Sequence, residues 1–213
     1  SRCEYTDRKG RHVAFNLVDV PGFFDFEGES NQALSAVDNA VIVMGASGTP
    51  TVGTEKAIEY CLARRIPSLL FINGLDKDNA NFIKTVAAIK RNEHPIPENL
   101  VEAYKEARQD LCEAAAENDE ELLDKFFAEG DLSGEEIERG VKLGVKACTT
   151  ITVLGGSALK NQGIFNLMDK MVSTFVSPQD RVPFVGEVDG KNVEIKADPN
   201  GKPLVRVFKT IVD

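Results

Sequence analysis

Three short apolar segments, each followed by polar turn residues, constrain the fold of this chain more than any other feature of its sequence. They span residues 40–44, 68–72 and 149–154, and stretches with helical spacing of apolar residues lie between and after them. Apolar runs of this length are typical of strands that are buried on both faces. Because strands that alternate with helices form parallel sheets, the sequence predicts an α/β fold with a mostly parallel sheet and helices on both faces.

Two other regions carry different patterns. Residues 98–148 are expected to be mostly helical, and Ser133 with Glu136 forms a capping box at one helix start. This region interrupts the alternation of strands and helices, so it predicts an inserted helical subdomain. Residues 2–8 and 12–18 predict two further strands, of which the second runs from the edge of the sheet into its interior.

The last part of the chain predicts the beginning of a β module. Pro178 and Pro183 mark a linker, and the residues beyond it predict short strands with turns at 189–190 and 199–201. The final predicted strand covers 204–211.

Acidic residues are concentrated in one segment. The chain has 34 acidic and 25 basic residues, a net charge of −9, and residues 113–139 hold 11 of the acidic residues and only 2 of the basic ones. This segment therefore carries the whole excess of negative charge, which disfavours bare nucleic acid as a partner. It is either a solvated acidic helical hairpin or a docking surface for a basic protein partner.

Cysteine usage and hydropathy bear on location. The four cysteines are scattered and show no Cys-x-x-Cys spacing, which indicates a reducing cytosol, and hence a cytoplasmic protein, rather than a disulfide framework or a zinc site. No apolar run approaches the roughly 20 residues that cross a bilayer, so no membrane partner is expected.

The first of three polar clusters follows the second predicted strand and consists of Asp19-Val-Pro-Gly22. A carboxylate at the end of a strand can hold Mg²⁺ through water. Gly22, three residues later, lets a backbone N–H approach a terminal phosphate. By itself the pattern is also explained by a turn that ends the strand.

The second and third clusters, 73–76 and 156–159, follow the apolar strands. Asp76 could accept two parallel hydrogen bonds from N1–H and the exocyclic amine of guanine, a pair of donors that adenine lacks. Asn73 would join neighbouring loops, although a simple Asx turn explains this cluster about as well. In the third cluster, the Ser157 hydroxyl would brace the loop and the N–H of Ala158 would reach the carbonyl oxygen of the base. The alternative is that this cluster is only a turn of small residues between a strand and a helix.

In combination, the three clusters resemble translational GTPases, and most closely elongation factor G and its shorter relatives. The resemblance rests on residues 16–26, 71–76 and 156–163, which are similar to the family's switch II entry, guanine-recognition segment and last base-contacting loop. It implies a P-loop GTPase-like fold, GTP or GDP with Mg²⁺ as ligands, and the ribosome as partner. It also implies that the nucleotide is bound by Asp19, Pro21, Gly22, Asn73, Asp76, Ser157, Ala158 and Leu159.

The sequence departs from the family pattern at three places. Phe23 stands where the family has its catalytic histidine, and Gly74 replaces the lysine that follows the asparagine. Residues 48–53 have the glycine spacing of a phosphate loop, but Thr54 and Glu55 follow in place of Lys-Ser, so no phosphate loop is predicted and this chain alone is expected to bind GTP poorly. Phenylalanine cannot position or polarise an attacking water.

These departures leave other hypotheses open. One is a degenerate GTPase fold that binds guanine nucleotide or the ribosome without efficient hydrolysis. Another is an unrelated α/β binding domain whose three clusters match by coincidence, which an adenine-selective site would favour.

The resemblance also implies a domain organisation. Residues 1–92 would form a GTPase core without its phosphate loop, and 149–177 would supply the last strand and helix of that core. Residues 93–148 would be the acidic helical insert, which could contact a ribosomal stalk protein. Residues 178–213 would be a linker and the first strands of a β-barrel domain.

Overall fold

The computed structural model describes residues 1–22, 27–46, 48–90, 100–205 and 207–209. Its strands and helices alternate through most of the chain. In chain order they are β1 (Arg2–Thr6), β2 (His12–Asn16), α1 (Glu27–Ser35), β3 (Ala40–Gly45), α2 (Val52–Ala63), β4 (Ser68–Asn73), α3 (Phe82–Lys90), α4 (Leu100–Ala116), α5 (Glu120–Glu129), α6 (Gly134–Ala147), β5 (Thr152–Gly156), α7 (Ile164–Thr174), β6 (Phe184–Val188) and β7 (Lys191–Ile195).

The central element is a parallel sheet with the order β3-β4-β5, flanked by helices, as the sequence predicts. β4 lies in the middle, and its residues 68–72 are all buried because both faces are covered. The register places Gly45, Asn73 and Gly156 opposite one another, so the three strands end together at one edge. Loops that follow these strands are thereby brought side by side.

β1 and β2 form an antiparallel hairpin that is separate from the parallel sheet. The prediction that residues 12–18 run into the sheet interior is wrong: β2 ends at Asn16, and Leu17 and Val18 are 46% and 52% exposed. Within the described residues β2 pairs only with β1, so no described strand lies beside the apolar continuation. Instead, the hairpin tip is anchored by side chains, since Arg8 contacts Asp169 at 3.0 Å.

Helices α4, α5 and α6 form the inserted subdomain and have a hydrophobic core of their own. Cys112 and Ala115 of α4 pack with Val141 and Val145 of α6. The predicted capping box is confirmed at the start of α6, where Ser133 and Glu136 exchange side-chain and backbone hydrogen bonds.

The β6–β7 hairpin follows the linker and fits the start of a barrel domain. Asp189 and Gly190 form its turn with positive φ values of 52° and 74°, a geometry that suits the twist of a hairpin. The predicted strand at 204–211 is not formed in the described part of that range, 204–205 and 207–209. Val205 is 90% exposed, and no described strand offers it a ladder partner.

Candidate functional site

A cleft of about 370 Å³ lies at the edge where the parallel strands end. This is the position at which open α/β sheets bind ligands, and the volume falls in the range of small-molecule sites. Its walls come from the end of β3 and from the loops after β4 and β5. The lining residues are Val43, Met44, Gly45, Asn73, Gly74, Asp76, Lys77, Ser157 and Leu159.

Asn73, the last residue of β4, joins the two loops of the cleft. Its Oδ1 accepts one hydrogen bond from the N–H of Gly74 and another from the N–H of Ala158, both at 2.9 Å. The amide side chain can span this gap because the register puts Asn73 opposite Gly156, directly before the second loop. One side chain therefore fixes the spacing between the loops.

Asp76 is held as a carboxylate by its neighbours. A hydrogen bond from the Ser157 side chain lowers the pKa of Asp76 below its ordinary value, and the positive charges of Lys160 and Lys77 act in the same direction, while desolvation opposes them. Ser157 itself is fully buried, and its Oγ also accepts a hydrogen bond from the N–H of Lys160 at 3.2 Å. A charged acceptor braced in this way is suited to a ligand that presents N–H donors.

The loop after β5 is pinned at its base. Ser157 and Gln162 exchange two backbone hydrogen bonds, of 3.0 and 2.9 Å. This approach requires glycine at 156, since a Cβ there would lie only 2.1 Å from the carbonyl oxygen of Gln162. Leu159, at the tip of the loop, is 88% exposed and lines the cleft.

The Asp19–Gly22 cluster does not line this cleft. Pro21 accepts a hydrogen bond from the Ser30 hydroxyl at 3.1 Å, and the carbonyl oxygen of Gly22 lies 3.8 Å from a Cβ built at Gly53, in the first turn of α2. α2 starts from the same edge of the sheet as the cleft, so this cluster lies towards that edge but apart from Asp76. Phe23 lies outside the described residues.

The N–H of Ala158 already has a hydrogen-bond partner in the cleft. It donates to Asn73, so a base carbonyl could receive it only if that hydrogen bond were shared or lengthened. Sequence reasoning also misses Lys77 and the end of β3 as lining residues. For Lys77 a signal existed, because it directly follows Asp76 in the sequence.

Possible metal ligands are few in the described residues, which contain no group of three or more His, Cys, Asp or Glu side chains placed to hold a metal ion. Asp19 offers a single carboxylate. Mg²⁺ is commonly bound through one or two carboxylates, with water and phosphate oxygens completing its shell, so this donor fits that ion only together with a phosphate ligand.

The fold and the cleft define a P-loop GTPase-like α/β domain. A family model described as the elongation factor Tu GTP binding domain matches residues 2–177, which is most of the chain. The chain belongs to this family of translational GTPases.

A solved structure supports the fold. The chain is similar to a protein from Thermus thermophilus whose crystal structure is known, with a TM-score of 0.67 and 23% identity. The match covers 84% of this chain and 32% of that one, so this chain spans about a third of that protein's length. In the described part of the chain, no helix is long and apolar enough to cross a membrane.

Proposed function

We propose that this chain is the guanine-nucleotide-binding GTPase part of an elongation factor G-like translation factor that acts on the ribosome. The observation that carries the proposal is the cleft in which Asp76, Ser157 and Asn73 meet. In it an ionised carboxylate is braced by a buried hydroxyl, and the two loops that enclose it are tied by one amide. Such an ionised acceptor suits a base that presents two adjacent N–H donors.

Base selectivity follows from the chemistry of Asp76. Its two oxygens would accept hydrogen bonds from N1–H and the exocyclic amine of guanine. Adenine has no donor at N1. It would exclude water from the carboxylate but leave part of it without a hydrogen bond, and an unpaired charge that has lost its water costs free energy. Ser157 would orient the carboxylate, and Leu159 would contact the base.

The Asp19–Gly22 cluster would bind the phosphates of the nucleotide. Asp19 would hold Mg²⁺ through water, and this ion would supply positive charge against the phosphate oxygens. Gly22 would offer its N–H to the terminal phosphate, with Pro21 setting the chain direction before it. Loss of that phosphate would then release the segment, which is the general logic of nucleotide switches.

A stalk-type ribosomal protein is proposed as the partner of the insert. Glu120, Glu121 and Asp124 lie on α5, where Phe127 is 78% exposed, so the surface joins negative charge with an apolar side chain. A basic protein segment with an apolar residue would complement it. Reversal of these three charges is expected to lower ribosome-stimulated GTP hydrolysis, and unchanged stimulation would contradict this part of the proposal.

The proposal includes the following division of the chain. Residues 1–92 and 149–177 form the GTPase core, 93–148 the acidic insert, and 178–213 the linker with the first strands of a barrel. A ribosome-bound role would place the protein in the cytoplasm.

The test is GTP hydrolysis by the full-length protein with and without ribosomes. We expect ribosomes to stimulate hydrolysis, and we expect Phe23→His to raise the stimulated rate, because histidine can position the attacking water. Guanine nucleotide binding without any ribosome stimulation, in both forms, would refute the ribosomal role. Absence of guanine nucleotide binding would refute the proposal as a whole.

A further inference from the structure

The β1–β2 hairpin is a ladder that runs from its tip to the residues just before Asp19. Its two strands pair along their whole length. Two further main-chain hydrogen bonds between Ser1 and Leu17, of 2.8 and 2.7 Å, extend the ladder to a point two residues before Asp19. Because paired strands move together, the place where the tip is held also determines where Asp19 lies.

Asp7 shapes the turn at the tip of the hairpin. Its carboxylate is buried and accepts hydrogen bonds from the N–H of Lys9 at 3.0 Å and from the N–H and Nε of Arg11, both at 2.7 Å. These bonds hold the turn in one conformation. The side chains of Arg8 and Lys9 therefore leave the tip from fixed positions.

The carboxylate of Asp169, on α7, receives two residues of the hairpin. Its Oδ1 accepts a hydrogen bond from the Tyr5 hydroxyl at 2.7 Å, and its Oδ2 lies 3.0 Å from Nε of Arg8. Arg8 also donates to Oδ1 of Asn166, three residues earlier in α7, at 2.9 Å. The Asp169 side chain is only 23% exposed, so water competes weakly for these contacts.

Lys9 adds one contact to the insert, since its Nζ lies 2.8 Å from Oε2 of Glu138 on α6. Among the described residues, the hydrogen bonds and salt bridges that join the hairpin to other elements all start from Tyr5, Arg8 and Lys9. All of them end on α7 except the one from Lys9. Asp169 is therefore the principal polar anchor of the hairpin.

α7 continues directly from the loop 156–163, which carries Ser157 and Ala158. The helix begins at Ile164, and the loop before it is closed by the backbone bonds between Ser157 and Gln162. Asp169 thus ties the strand that leads to Asp19 to the helix that leads away from this loop. A nucleotide that reaches both places depends on the distance between them.

We propose that Asp169 is a positioning residue that fixes the Asp19–Gly22 cluster relative to the loop 156–163. The inference rests on the proposed function, since it requires a nucleotide with its base at Asp76 and its terminal phosphate at Gly22. With the hairpin anchored, the cluster is in place before the phosphate arrives. Without the anchor, it is in place in only a fraction of the molecules, and the affinity for the terminal phosphate falls by that fraction.

The test is titration of the full-length protein and its variants with GDP and with a non-hydrolysable GTP analogue, at saturating Mg²⁺. A hydrogen bond to a charged group contributes about a factor of ten to an equilibrium, so Asp169→Ala should bind the GTP analogue about tenfold more weakly. GDP lacks the terminal phosphate, and its affinity should stay within about twofold of the wild-type value. Glu106→Ala removes an exposed carboxylate on α4 and is the matched control, which should bind both nucleotides as the wild type does.

A double-mutant cycle shows whether Asp169 acts through the hairpin. Arg8→Ala should also weaken binding of the GTP analogue, and Arg8→Ala combined with Asp169→Ala should be no more than about twofold weaker than Asp169→Ala alone, because both changes release the same contact. Losses that simply add would overturn the inference. So would an equal loss for GDP and the GTP analogue in Asp169→Ala, or wild-type affinity for both.

Failure of the proposed function gives a different result. If the wild-type protein binds neither nucleotide, the proposed function is wrong and the inference falls with it. If the wild-type protein binds both and Asp169→Ala does not separate them, only the inference is wrong. Thermal unfolding shows whether each variant is folded. Tyr5→Phe, which removes one hydroxyl, should weaken the GTP analogue more than GDP and supplies the answer should Asp169→Ala be unstable.

Discussion

Adding one methyl group at Gly156 should disrupt the loop that carries Ser157 and Ala158. A Cβ at this position would lie 2.1 Å from the carbonyl oxygen of Gln162 and 3.0 Å from its carbonyl carbon, whereas ordinary contact begins at 3.4 Å. The obstructing atoms are backbone, so no side chain can turn away to make room. The loop must therefore move outward by more than about 1 Å, because close-packed interiors leave no free space.

The loss of stability can be estimated from the hydrogen bonds that this movement of the loop would break. Ser157 and Gln162 would lose two backbone hydrogen bonds, each worth about 0.5–1.5 kcal/mol. Overpacking adds about 1–3 kcal/mol. Gly156→Ala should therefore lower the free energy of unfolding by about 2–6 kcal/mol. It should also weaken GDP binding by more than about tenfold, since Ser157 would no longer brace Asp76.

Chemical denaturation followed by circular dichroism measures the first effect, and nucleotide titration of the full-length protein measures the second. Gly134→Ala is the matched control: it lies in the first turn of α6, and nothing lies within 4 Å of its Cβ position. Alanine there should be neutral or stabilising by up to about 1 kcal/mol. A Gly156→Ala protein with wild-type stability and wild-type affinity for GDP would refute the reasoning.

Two further predictions concern hydrogen bonds to carboxylates away from the cleft. Hydrogen bonds from Lys125 and from the Ser133 backbone lower the pKa of Glu136 from 4.5 to about 2, so its stabilising effect is complete above pH 4.5 and is lost as the pH falls towards 2. Glu136→Gln should therefore reduce the acid dependence of the thermal midpoint in that range, and a midpoint with the wild-type pH profile would contradict this. Asp169 accepts a hydrogen bond from the Tyr5 hydroxyl at 2.7 Å, which raises the pKa of Tyr5 above 10.0. In Asp169→Asn the pKa of Tyr5 should fall back towards 10.0 in a titration followed by nuclear magnetic resonance, and an unchanged value would show that the contact does not persist in solution.

The parallel sheet was predictable because its signal is local. Three apolar runs bounded by polar turns specify buried strands, and strands of this kind bring their following loops to one edge. The predicted strand boundaries were less accurate. The strand expected at 149–154 forms at Thr152–Gly156, because the N–H of Thr149 instead donates to Gly144 and completes the end of α6. A helix cap of this type depends on where α6 stops, which periodicity does not fix.

The finer geometry of the site could not be read from the sequence. Asn73 was expected to join neighbouring loops, but its partner, the N–H of Ala158, depends on the register between β4 and β5, and the position of Lys77 depends on the left-handed backbone at Gly74. Both features depend on the tertiary structure. The residue types involved are common in turns, so they give no signal of their own. The same limit explains why 204–211 reads as a strand: alternating residues specify a strand only where a neighbour pairs with it.

Base discrimination by Asp76 is the most direct test of the central claim. The full-length protein should be titrated with GDP, ADP and xanthosine diphosphate, and so should Asp76→Asn. Guanine presents two donors to the carboxylate, so the wild-type protein should prefer GDP to each of the other nucleotides by at least about 100-fold. In Asp76→Asn the amide matches the additional carbonyl of xanthine, and the preference should turn from GDP to xanthosine diphosphate. Equal binding of GDP and ADP by the wild-type protein, or a preference for GDP that survives in Asp76→Asn, would contradict the account.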